Sequence, residues 1–85
     1  MTDKELVSDY ERVVNRNLEI RGILWRLEVR IDHRRYRAYE TMADNAVWAT
    51  SSISNYLTVK EMAVFLAGYH AAMLNYFKHL DMEAD

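Results

Sequence analysis

The sequence predicts an all-α domain, a small bundle of three helices or a long-helix hairpin, assembled as a dimer, and three observations predict it. Proline is absent from the 85 residues and glycine occurs only at Gly22 and Gly68, so few positions interrupt a helix. Leu6, Tyr10, Val13, Asn17, Ile20, Leu24, Leu27 and Ile31 recur at alternating spacings of four and three, the seam of a heptad repeat. Thr2 with Glu5 and Thr58 with Glu61 each form a capping-box pattern, which marks a helix start.

The first helix is expected from about residue 3 to the low thirties. Ser8, Arg12, Asn15, Glu19, Arg26, Arg30, His33 and Arg37 then share a polar wedge opposite the seam. A competing pattern runs through the same stretch: Trp25, Leu27, Val29 and Ile31 alternate with Arg26, Glu28, Arg30 and Asp32, the period of a half-buried strand. That pattern defines the alternative, an α+β fold with a short hairpin at about residues 23–41. Eight seam positions outweigh four alternating ones. The helical reading carries a cost, because Arg21, Glu28, Asp32 and Arg35 fall near the strip between the seam and a second ridge of Val7, Val14, Leu18, Trp25 and Val29. Buried there, the charges would have to be paired; on the solvent face of a strand they would cost little.

A second helix from about 35 to 50 follows from Tyr39, Met42, Ala46, Ala49 and Ile53, nearly in phase with the first. "TSSISN", residues 50–55, reads as the clear loop, since Ser, Thr and Asn compete with helix hydrogen bonds. The last helix begins at the Thr58 box, with Leu57 placed to staple onto its first turns. Met62, Phe65, Leu66, Tyr69, Met73, Tyr76, Phe77 and Leu80 line one face, and residues 62–77 carry no formal charge with His70 neutral. A membrane span needs about 20 apolar residues. This run is shorter and holds His70 and Asn75, so it reads as the centre of a core or a subunit interface.

One domain, residues 1–85, accounts for a chain of this length. Cysteine is absent, which excludes disulfides, and His33, His70 and His79 lack zinc-finger spacing. His79 and Glu83, four apart, offer at most two ligands, so no metal or other cofactor is expected. "MTDKELVSDYE" is acidic where a secretory leader would be basic and then apolar, which points to a cytoplasmic protein with no membrane partner. The formal net charge of -2 hides an uneven layout: Arg21, Arg26, Arg30, Arg34, Arg35 and Arg37 crowd residues 21–37 against only Glu28 and Asp32. The ends are acidic.

Catalysis has no foothold, because Ser51, Ser52 and Ser54 carry no nucleophile motif and no phosphate-binding glycine loop occurs. The expected function is a non-catalytic protein-protein interaction module, a small regulator, inhibitor or assembly factor acting on a larger protein. Its size and composition place it by analogy with such proteins in bacteria, phages and mobile elements. The partner-binding surface is expected to combine Arg26, Arg30, Arg34, Arg35, Tyr36, Arg37, Tyr39 and Trp48, since Arg, Tyr and Trp dominate interface energetics. The alternative is nucleic-acid binding through the arginines of 21–37. A homodimer interface is expected from Asn17, Leu24, Trp25, Leu27, Ile31, Tyr69 and Tyr76. There a buried Asn17 would fix register, because two apolar ridges and a charge-free last helix exceed what one chain covers.

Overall fold

The computed structural model describes residues 1–42 and 50–83. Their order is α1 (Asp3–Ile20), β1 (Trp25–Asp32), β2 (Arg35–Met42), β3 (Ser51–Ser52) and α2 (Val59–Glu83). The fold is therefore α+β, and the all-α helical bundle expected from the heptad seam is incorrect. The arrangement found is the hairpin that the alternation of residues 25–32 offers.

Two local features overturn the long first helix. Gly22 adopts φ +69, and its N–H donates to the Glu19 carbonyl at 3.0 Å while the Ile23 N–H donates to the Leu18 carbonyl at 2.9 Å. This paired capping ends α1 and needs a left-handed residue, which glycine supplies without a Cβ penalty. Further along, His33 and Arg34 take φ 48 and 67, the two positive values of a two-residue type I′ hairpin turn. That turn brings Asp32 opposite Arg35 and sets the antiparallel register from Trp25↔Met42 to Asp32↔Arg35. The helix expected at about 35–50 is, through Met42, strand β2. The expected loop at 50–55 contains β3, which pairs Tyr39↔Ser52 and Glu40↔Ser51.

Both capping boxes form. The Thr2 and Thr58 hydroxyls accept the N–H groups of Glu5 and Glu61 at 3.1 and 3.2 Å, and each Glu carboxylate accepts the N–H of its threonine. The hydrogen bonds from Thr58 hold the Glu61 carboxyl below its ordinary range.

The sheet order is β1-β2-β3, and both helices cover one face of it. Helix α1 lies along β1 and α2 along β2. The helices run parallel, with Tyr10 against His70 at 5.8 Å between ring centroids and Arg21 Nη2 bonded to Asp81 Oδ2 at 2.7 Å. Val7, Val14 and Leu18 from α1, Leu27 and Ala38 from the sheet, and Met62, Ala63, Leu66 and Phe77 from α2 make the buried core. Val7, Val14 and Leu18 of the second ridge are buried against the sheet and α2, whereas Val13, Ile20, Leu24 and Ile31 of the seam stand exposed. Among the described residues, no helix is long and apolar enough to cross a membrane.

The edges of the sheet are closed by side chains as well as by backbone. On the β1 edge, Asn15 Nδ2 donates to the Leu27 carbonyl at 2.9 Å and its Oδ1 accepts the Leu27 N–H at 2.7 Å; Glu11 accepts the Val29 N–H at 2.6 Å. Helix α1 therefore supplies the groups a further strand would have supplied, which blunts an otherwise open edge. On the far side of β2, Ile53 N–H donates to the Ala38 carbonyl, the Ser54 hydroxyl accepts the Ala38 N–H, and Tyr36 exchanges two bonds of 2.7 Å with Leu57.

Candidate functional site: the open face of the sheet

Alternation along a strand sends neighbouring side chains to opposite faces. Trp25, Leu27, Val29 and Ile31 of β1 share the helix-covered face with Tyr36, Ala38, Glu40 and Met42 of β2, as the register requires. Arg26, Glu28, Arg30 and Asp32 share the other with Arg35, Arg37, Tyr39 and Thr41. Among the described residues no helix covers that second face, so Glu28, Asp32 and Arg35, which would have been costly on the buried strip of a bundle, lie on its open side.

The centre of this face is a ladder of guanidinium groups and phenol rings. The Arg30 guanidinium carbon lies 4.4 Å from the Tyr39 ring centroid, and Arg37 lies 5.7 Å from Tyr39 and 4.9 Å from Tyr56. Arg37 is further fixed by Nε donating to the Ser54 carbonyl and Nη2 to the Ser52 hydroxyl, both at 3.1 Å. Arg30 donates Nε and Nη2 to the two carboxylate oxygens of Glu28 at 2.9 and 3.3 Å. The Glu28 bond raises the Arg30 pKa and a Tyr56 bond raises that of Arg37, each against opposing desolvation, so both remain cations at any working pH. The Ser52 and Ser54 hydroxyls serve as partners of Arg37 and Ala38.

Of the residues expected to bind a partner, Arg30, Arg37 and Tyr39 come together here. Arg35 lies on the same face, exposed, close enough to Glu61 to lower its pKa electrostatically, behind the capping bonds. Arg26 turns back onto the chain, donating to the carbonyls of Ile23 and, at 2.8 Å, Trp25. Arg34 stands in the exposed turn beside His33, which contacts Asp32 at 2.6 Å. Tyr36 belongs to the covered face and packs on the core. Trp48 lies outside the described residues. The face also includes Glu28 and Tyr56, which sequence reasoning did not single out. The even positions of the 25–32 alternation could have shown Glu28; only the pairing of β2 with residues 51–57 brings in Tyr56.

The residues expected at a dimer interface are scattered. Leu27 is 2% exposed within the chain's own core, and Tyr69 donates its hydroxyl to Glu40 at 3.2 Å. Burial, with the Glu40 charge beside it, pushes the Tyr69 hydroxyl up to about 12. Asn17 bonds the Val13 carbonyl of its own helix at 2.9 Å. Leu24, Trp25, Ile31 and Tyr76 are exposed. Among the described residues no group of three or more His, Asp or Glu side chains gathers to hold a metal ion. The Glu83 side chain, half of the His79 pair, lies outside the described residues.

Compared with family models, with curated proteins and with solved structures, the chain finds no match in any of the three.

Proposed function

We propose that this chain is a non-catalytic binding module, a small regulator, inhibitor or assembly factor, that docks on a larger protein through the open face of the β1–β2 hairpin. The observation that carries the reading is the one-sided cover: two helices protect one face of the sheet and leave Arg30, Arg37, Tyr39 and Tyr56 stacked on the other. Stacking holds the long arginine side chains in fixed orientations before contact, which lowers the ordering cost of binding, and Arg and Tyr are the residue types that anchor interfaces.

The arginines also raise nucleic-acid binding as a second reading, and the ladder weighs against it. Unpaired bases bind by stacking on open aromatic faces. Here Tyr39 has Arg30 and Arg37 against its ring, and Tyr56 has Arg37.

The test is cross-linking in the native host followed by mass spectrometry, with the wild type, an Arg37→Ala/Tyr56→Ala variant and a Val64→Ser variant. Val64 lies on α2 and is 70% exposed. Loss of a captured protein in the sheet-face variant, with retention in the α2 variant, supports the reading. Retention in the former with loss in the latter refutes it. A labelled single-stranded oligonucleotide is run beside it: tight binding that falls steeply with salt would favour the second reading.

A further inference from the structure

We infer that this face receives carboxylates of an acidic segment on the partner protein, with Arg30 and Arg37 as the paired receptor, and that Glu28 holds the place of such a carboxylate in the free protein. The inference rests on the protein-docking reading above and names the chemistry of its ligand.

Arg30 and Arg37 are directly opposite one another in the register. Like charges so placed repel and destabilise a strand pair, so their juxtaposition is not explained by the stability of the hairpin. Relief comes from one carboxylate. Glu28, two residues before Arg30 on the same face, grips its Nε and Nη2 edge with both oxygens, the two-pronged geometry in which a guanidinium recognises a carboxylate. The pair is open to water, with 49% of the Arg30 and 46% of the Glu28 side chain exposed. Exposed pairs of this kind are weak and exchange readily with an incoming anion.

Arg37 is different. It is held by neutral groups, the Ser54 carbonyl and the Ser52 hydroxyl, and by the rings of Tyr39 and Tyr56. Among the described residues, no carboxylate lies within ion-pair distance of it. The face thus presents one arginine already capped by a carboxylate and a neighbour that is oriented but uncapped. Across the whole face, Arg26, Arg30, Arg35 and Arg37 exceed Glu28 and Asp32, whereas the chain as a whole is acidic at -2. The charge complementarity of this surface is with an acidic segment. The Arg37 Nε and Nη2 are engaged by Ser54 and Ser52, so an incoming carboxylate meets Arg37 by displacing the exposed Ser52 hydroxyl and Arg30 by displacing Glu28.

The experiment measures binding of a fluorescently labelled oligoglutamate peptide to the whole protein by anisotropy, with an oligoserine peptide of equal length as the control. Removing the competing charge in Glu28→Gln should tighten oligoglutamate binding by about threefold, while Arg30→Ala and Arg37→Ala should each weaken it by about tenfold. Each variant is first shown to unfold at the wild-type midpoint. A readout on the unaltered protein stands beside the variants: the Arg30 Nε–H resonance should move on adding oligoglutamate and stay fixed with oligoserine. Unchanged or weaker binding by Glu28→Gln, or a motionless Arg30 resonance, overturns the inference. So does a single-stranded RNA of equal charge that binds more tightly than oligoglutamate. If oligoglutamate fails while the Arg37→Ala/Tyr56→Ala variant still loses its captured protein, the carboxylate inference falls and the docking reading stands. If capture ignores the sheet face altogether, the docking reading falls with it.

Discussion

Replacing Asn15 with alanine removes the plug in the β1 edge, and the structure fixes what that should cost. The Asn15 amide makes two bonds to one residue, donating to the Leu27 carbonyl at 2.9 Å and accepting its N–H at 2.7 Å. Leu27 itself is core, so its backbone is partly shielded from water when the amide is gone. At about 1 kcal/mol for each net hydrogen bond, the two together should cost about 2 kcal/mol. Asn15→Asp keeps the acceptor but turns a carboxylate oxygen toward the Leu27 carbonyl, so it should rescue little of that loss at neutral pH. Urea unfolding followed by circular dichroism measures the stability, and amide hydrogen exchange at Leu27 reports the bond itself. The same variant uncovers unpaired strand backbone, so it should also self-associate at concentrations where the wild type does not. A change below about 0.5 kcal/mol, with Leu27 exchange unaltered, would refute the assignment of Asn15 as a surrogate strand.

Gly22→Ala should destabilise by about 1 kcal/mol through backbone conformation alone, because φ is +69 and no atom lies within 4 Å of the added Cβ; thermal unfolding measures it. His33→Asn with Arg34→Gly installs the residues that a type I′ turn prefers and should stabilise by about 1 kcal/mol, seen as a higher denaturation midpoint. Tyr69 is pushed up to about 12 from 10.0, so its contribution is whole below pH 10 and disappears as pH rises toward 12. For a partly buried ring that contribution is on the order of 1 kcal/mol. Tyr69→Phe should lose less stability across that window than the wild type, and an equal loss would contradict the shift.

The sequence pattern carried the starts of α1 and α2, and misplaced the end of α1 and the helix expected at about 35–50, which is strand β2 through Met42. Both capping boxes are local chemistry within four residues, and both form as read. Met62, Leu66 and Phe77 pack as their helical spacing implies, whereas Tyr76 and Leu80, expected on the same face, stand exposed. The seam failed at Gly22, where spacings of four and three continue through Leu24, Leu27 and Ile31 although the backbone has already turned. Those residues are apolar for the sake of alternation, and a period of two sampled at every third or fourth position imitates a heptad over a short run. The hairpin was hard to see because its turn is His33-Arg34, where asparagine and glycine are the usual signal. The charged residues told more. Glu28, Asp32 and Arg35 fitted poorly on a buried strip, and the open face of the sheet is where they stand. The Arg30 and Arg37 part of the site was legible as a concentration of charge, but their opposition needed the register, and Tyr56 needed the pairing beyond β3.

The contact between Arg21 and Asp81 joins residues sixty apart, and it says something about how the molecule is born. A chain leaving the ribosome displays the apolar stripe of its first helix long before the last helix exists to cover it. The hairpin can shield only the side along Leu27, because the groove beside Tyr10 and Val14 is filled by α2, which is made only after the whole sheet. Closure across sixty residues delays folding of α1 until α2 has emerged, and a nascent chain stalled before α2 should be a client for chaperones and proteases.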